Sequence, residues 1–114
     1  MVYESVFRPG LYAGQRIVVT GGGSGIGRCT AHELAALGAH VALVGRNPDK
    51  LLTVANEVEQ AGGLRPSTHA CDIRVEAEVR ATVADVLQAG APIHGLVNNA
   101  GGQFMSPMEK ISAN

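Results

Sequence analysis

The apolar residues of this chain alternate between two rhythms. Short β-branched runs are followed by longer segments in which apolar residues recur every three or four positions. Ile17-Val18-Val19, bounded by a glycine cluster, predicts a buried parallel strand. From Gly25 to Leu37 the residues Ile26, Cys29, Leu34 and Leu37 keep helical spacing, and Gly38 supplies the stop. His40 to Val44 predicts a second strand. Asn47-Pro48-Asp49-Lys50 then reads as a helix start, with Asn47 as N-cap and Pro48 at the first helical position. Leu51, Val54, Ala55, Val58 and Ala61 form the buried stripe of that helix, which Gly62-Gly63 closes. A short, polar third strand is predicted over Ser67–Ala70. Val75, Val79, Val83, Val86 and Leu87 mark a third helix ending at Gly90, and Gly95-Leu96-Val97 a fourth strand.

This βαβαβαβ order with short connections specifies right-handed crossovers and a parallel sheet covered on both faces. Residues 1–14 read as an irregular leader laid over the body, 16–101 as the core and 102–114 as a loop leaving the fourth strand. The whole of 1–114 is expected to be the N-terminal portion of a single domain.

Composition narrows the classes. Hydrophobic residues make up 46% of the 114 and charged residues 17%, ordinary for a folded soluble chain. A net charge of -1 offers no electrostatic footprint for nucleic acid or an anionic membrane. No apolar run approaches the roughly eighteen residues of a membrane span, and the first residues lack the basic and apolar parts of a secretory signal. The cytoplasm is the expected compartment. Cys29 and Cys71 are too few and too far apart for a disulfide framework. His32, His40, His69 and His94 are scattered, and no metal site is expected. Fifteen glycines are about double the usual share, clustered in Gly21–Gly27 and in the pairs Gly62-Gly63 and Gly101-Gly102.

The first strand runs through Thr20-Gly21-Gly22-Gly23-Ser24-Gly25-Ile26-Gly27 into a helix. A diphosphate must be met by donors without bulky side chains in the way. A helix N-terminus supplies unpaired N–H groups and a positive dipole end, and glycines let the ligand approach. The pattern is no Walker loop, because Arg28-Cys29 follows Gly27. In this context the fold class is α/β, a Rossmann-type doubly wound parallel sheet with strand order 3-2-1-4 in three αβα layers. Arg46 follows the second strand, where the cofactor ribose is read. No acid stands between Val44 and Asn47, so a guanidinium there suits a 2′-phosphate, to which the Ser24 hydroxyl adds. The cofactor expected is NADP(H) rather than NAD(H). An exposed strand-end arginine is the plainer alternative. Asp72 also suits a turn or an N-cap, and Asn98 and Asn99 also suit a strand end.

Thr20 to Gly27, Asp72 after the third strand and Asn98-Asn99-Ala100-Gly101 after the fourth resemble, in order and place, the motifs of short-chain dehydrogenase/reductases. The resemblance implies an NADP(H)-dependent oxidoreductase. It implies cofactor contacts from Gly21, Gly23, Ser24, Gly25, Ile26, Gly27, Arg46, Asp72, Ile73, Asn98, Asn99, Ala100 and Gly101, with Asp72 on the adenine amino group. Cys71-Asp72-Ile73-Arg74 and Gly101-Gly102-Gln103-Phe104-Met105-Ser106-Pro107 are similar to the acyl-CoA branch, the trans-2-enoyl-CoA and 2,4-dienoyl-CoA reductases. That likeness implies an enoyl-CoA substrate contacted by Arg74, Gln103, Phe104 and Ser112. Gln103 falls where the dienoyl reductases carry a catalytic asparagine, which speaks against the dienoyl reaction. Dehydrogenases of acyclic terpene alcohols are similar too, and a non-catalytic NADP(H) sensor remains an alternative.

The family's acid/base is a tyrosine with a lysine four residues on, because a phenol near its free pKa of about 10 is a poor base at neutral pH. Here Tyr3 is followed by Phe7 and Tyr12 by Arg16. The catalytic Ser, Tyr and Lys are therefore expected after Asn114, the segment alone should be inactive, and a homo-oligomer (dimer or tetramer) is expected of the full-length protein.

Overall fold

A computed structural model describes residues 3–88 and 90–101. Its elements follow the predicted order: β1 (Arg16–Thr20), α1 (Gly25–Ala36), β2 (His40–Gly45), α2 (Pro48–Gln60), β3 (Ser67–Ala70), α3 (Glu76–Leu87) and β4 (Gly95–Val97). The strands form one parallel sheet in the order β3-β2-β1-β4. This is the Rossmann-type arrangement, and it brings the C-terminal ends of β1, β2, β3 and β4 to one edge.

The strand alternation divides the core between two faces. Ile17, Val19, Val41 and Leu43 pack on one side against Ala31 and Ala35 of α1 and Leu51, Val54, Ala55 and Val58 of α2. Val18, Ala42 and Val44 point to the other side, where Cys71 and Val86 complete a smaller cluster with Val79 and Ile93 at its margin. β1 is buried along its whole length, as a strand covered on both faces must be.

Two helices differ from expectation in which residues they bury. On α1 the inward face is Gly27, Ala31, His32 and Ala35, whereas Ile26 is 76% exposed and Cys29 is exposed. Small residues let the α1 backbone approach the sheet closely, so the larger apolar side chains of its first two turns are left outside. Leu34 and Leu37 do reach the core. On α3 only Val86 is buried. Val75 is the N-cap, and it is exposed along with Val83 and Leu87. By contrast α2 buries Leu51, Val54, Ala55 and Val58 as expected, while Ala61, expected in the same stripe, is the half-buried C-cap; the Asn47 side chain accepts from the N–H groups of Asp49 (3.0 Å) and Lys50 (3.3 Å).

Residues 3–14 form turns rather than a helix or strand, and they are pinned to the body. Tyr12 packs on the larger cluster and its N–H donates to Leu37 O at 2.9 Å. The hydroxyls of Tyr3 and Ser5 both donate to the Glu33 carboxylate, and the Tyr3 ring stacks on buried His32 with centroids 5.8 Å apart.

The close approach of α1 predicts that Ala31→Leu lowers unfolding stability by about 1–3 kcal/mol through overpacking, while Cys29→Leu changes it by less than about 0.5 kcal/mol. Urea titration of the two variants measures both. Equal losses would mean that both positions pack against neighbours alike, which contradicts this burial.

Candidate cofactor site

At the C-terminal edge of the sheet lies a cleft of about 840 Å³ lined by residues of the glycine loop, the β2 end, the β3 end and the β4 end. Of the sequence-predicted residues, Gly21, Gly23, Ser24, Arg46, Asp72, Ile73, Arg74, Asn99, Ala100 and Gly101 line it. Gly25, Ile26, Gly27 and Asn98 do not, although Gly25 to Gly27 form the first turn of α1. Gln103, Phe104 and Ser112 lie outside the described residues.

The glycine loop is held by interlock with the β4 end. Thr20 Oγ1 accepts from the N–H groups of Asn99 and Ala100, each at 3.0 Å, and lies 3.3 Å from Val97 O, to which it donates. Asn99 Nδ2 donates to Gly21 O at 3.4 Å. A Cβ at Gly21, where φ is +67°, would stand 2.9 Å from Asn99 Nδ2, and one at Gly27 would stand 2.0 Å from Gly21 O. These two glycines are therefore required by the protein's own close packing. Gly25 is the different case. Its φ is +55°, and a Cβ there would meet nothing within 4 Å.

Ser24 stands at the N-cap of α1 in extended geometry, yet its side chain makes no capping hydrogen bond, and the first turn holds no acid. The adjacent α2 is capped by Asn47 in the ordinary way. The α1 terminus thus keeps donors and a positive dipole end available beside open space at Gly25, which fits a diphosphate.

Asp72 and Arg74 form a bidentate ion pair across one turn. Asp72 Oδ1 accepts from Arg74 N and Nε at 3.0 Å each, and Oδ2 accepts from a terminal guanidinium nitrogen at 2.9 Å. The Arg74 side chain, through its hydrogen bonds first, holds the Asp72 carboxyl well below the usual range, at about 2, with Arg46 adding its field. Arg74 is thus committed to Asp72 in this structure, not extended alone toward a substrate. Lys50 was not singled out by sequence reasoning, yet it lines the cleft beside Arg46. The available signal was a cation in the first turn of α2, where the helix dipole disfavours it.

Tyr3 is no acid/base candidate: its hydrogen bond to Glu33 pushes the phenol up to about 12, opposite to what a base requires. Among the described residues no cluster of three or more His, Cys, Asp or Glu side chains is arranged to hold a metal, and no helix is long and apolar enough to cross a membrane.

A glycine loop between β1 and α1, at the C-terminal edge of a 3-2-1-4 parallel sheet, defines a dinucleotide-binding class of fold. The comparisons with known proteins carry this further. A family model described as short chain dehydrogenase matches residues 15–114, and the chain belongs to that family. It is 37% identical over 112 residues to the peroxisomal 2,4-dienoyl-CoA reductase [(3E)-enoyl-CoA-producing] of Mus musculus, covering 98% of this chain and 38% of that protein. It is 40% identical over 100 residues to the glucose 1-dehydrogenase of Gluconobacter oxydans, covering 88% of this chain and 38% of that protein. Among solved structures it is similar to the citronellol catabolism dehydrogenase (AtuB) of Pseudomonas aeruginosa PAO1, with 60% identity, a TM-score of 0.84, and coverage of 97% of this chain and 45% of that one. A metagenomic short-chain oxidoreductase in complex with NADP matches at 40% identity and a TM-score of 0.77, covering 89% of this chain and 46% of that one. The chain therefore spans less than half the length of these relatives.

Two outcomes test this geometry. Gly27→Ala should lower stability by about 2 kcal/mol or more, because its Cβ would press on the backbone of the preceding loop, and thermal unfolding reads the loss. The Asp72 carboxyl should titrate near 2 by NMR, against about 3.9 for a free aspartate, and Arg74→Ala should return it toward that value. Because the folded-state pKa is depressed, the pair's stabilisation is present above about pH 4 and disappears as pH falls through about 2.

Proposed function

We propose that the polypeptide containing this segment is an NADP(H)-dependent oxidoreductase acting on an acyclic, hydrophobic substrate, with an open-chain terpenoid alcohol and its carbonyl partner as the leading pair. The cofactor choice rests on Arg46 in the cleft just beyond β2, at the position where an acid would favour NAD(H). The substrate class rests on the 60% identity to the citronellol catabolism dehydrogenase.

In this reading the first turn of α1 binds the diphosphate through backbone N–H groups of Gly25, Ile26 and Gly27, while Gly21, Gly23 and Ser24 shape the loop. This role needs only the Ile26 main chain, which agrees with its exposed side chain. Asp72 and Ile73 hold the adenine end. Asn98, Asn99, Ala100 and Gly101 border the nicotinamide end, and the Thr20 and Asn99 hydrogen bonds keep that border in register with the loop. The nicotinamide, when bound, supplies or accepts hydride. The catalytic Ser, Tyr and Lys belong to the portion of the family fold beyond residues 1–114, and the complete polypeptide is expected to form a homo-oligomer.

A second reading, reduction of an enoyl-CoA thioester, is favoured by the likeness to the mouse dienoyl-CoA reductase. There Arg74, Gln103, Phe104 and Ser112 would face the acyl-CoA. For Arg74 this requires release from Asp72.

The complete polypeptide should reduce NADP+ with an acyclic terpene alcohol. Oxidation of NADPH by crotonyl-CoA or longer enoyl-CoA esters without alcohol turnover would favour the second reading. Nucleotide binding with neither activity would favour a sensor. Arg46→Asp should weaken NADPH about 100-fold and NADH by less than about 3-fold, measured as Kd by fluorescence titration. Equal losses would remove the argument for NADP(H).

A further inference from the structure

We propose that Lys50 is a second specificity-determining residue of this cleft, joining Arg46 to hold the 2′-phosphate of NADP(H), an assignment that rests on the NADP(H) reading above. Among the described residues the charges lining the cleft are Arg46, Lys50, Asp72 and Arg74. Asp72 and Arg74 neutralise each other through their bidentate pair. Among the described residues neither Arg46 nor Lys50 lies within ion-pair distance of a carboxylate. The rim therefore carries two unneutralised cations on adjoining parts of the fold, the β2 end and the first turn of α2.

The ligand that matches two cations is a phosphate monoester, which carries about -1.5 to -2 charges at neutral pH. A free ribose hydroxyl gives neither cation a counter-charge. The diphosphate has its own donors at the α1 terminus and does not need this pair.

The placement of Lys50 is built, not incidental. A cation in the first turn of a helix opposes the dipole, so it is a residue with a local cost. Its backbone N–H is fixed by the Asn47 cap at 3.3 Å. Its Cβ stands against the glycine loop, where a Cβ on Gly23 would lie 3.0 Å from it. The absence of a side chain at position 23 thus lets the α2 terminus, and Lys50 with it, close on the loop that faces the cofactor.

The test measures Kd by isothermal titration on the complete polypeptide with NADPH, NADH, adenosine 2′,5′-bisphosphate and AMP. Lys50→Gln should weaken NADPH and adenosine 2′,5′-bisphosphate about 10-fold and leave NADH and AMP within about 2-fold. Lys50→Arg should retain most of the NADPH affinity, and the double variant Arg46→Gln/Lys50→Gln should bind NADPH and NADH alike. Unchanged NADPH binding in Lys50→Gln, or equal weakening of NADPH and NADH, overturns the assignment of Lys50. A wild-type protein that binds NADH as tightly as NADPH overturns the NADP(H) reading itself, and the bisphosphate and AMP titrations separate that failure from a fault at Lys50 alone.

Discussion

Asn99 occupies space that side chains at positions 21 and 27 would need, and its amide holds Gly21 O while its main chain is held by the Thr20 hydroxyl. This contact joins the ends of β1 and β4, segments almost eighty residues apart in the chain, at the point where the sheet's strand order reverses. These contacts tie the glycine loop, and the α1 terminus that follows it, to the β4 end. Fixed donors that meet a charge without rearranging are the physical basis of tight phosphate recognition.

The electrostatics of the rim are arranged around that fixed terminus. The α1 N-terminus has no side-chain cap and no acid in its first turn, so its partial positive charge is not met by its own helix. Asp72, the one acid lining the cleft among the described residues, is kept ionised by Arg74. Its carboxylate can accept hydrogen bonds at any physiological pH, and Arg74 blunts its repulsion of an incoming polyanion. A ligand that engages Asp72 must share it with Arg74 or displace it, which ties the two residues together in any role either takes.

Much of this was legible in the chain. The strand and helix order could be read because period-two and period-three-to-four patterns, with glycine and proline punctuation, are local properties. The Asn47-Pro48 start of α2 is such a case. What escaped was set by packing between elements. Ala31 and Gly27 are buried because α1 lies close to the sheet, a fact that hydrophobicity cannot report, and Ile26 and Cys29 are excluded for the same reason. His32 is buried by Tyr3, from the leader, and faces Glu57, from α2, neither of which periodicity relates to α1. The site was similarly divided. Of the residues lining the cleft, Gly21, Gly23, Ser24, Arg46, Asp72 and Asn99 to Gly101 stand in motifs readable at strand ends, while Lys50 enters it only once α2 closes on Gly23.

The most direct test of the account is an amide NMR titration of the complete polypeptide with NADPH. Saturable, one-to-one shifts of the Gly25, Ile26 and Gly27 N–H signals, with the α3 amides of Ala81 and Thr82 unmoved, would show the diphosphate on the uncapped terminus of α1. Saturation of the protein with no change at Gly25 to Gly27 would place the nucleotide elsewhere and contradict the account at its centre.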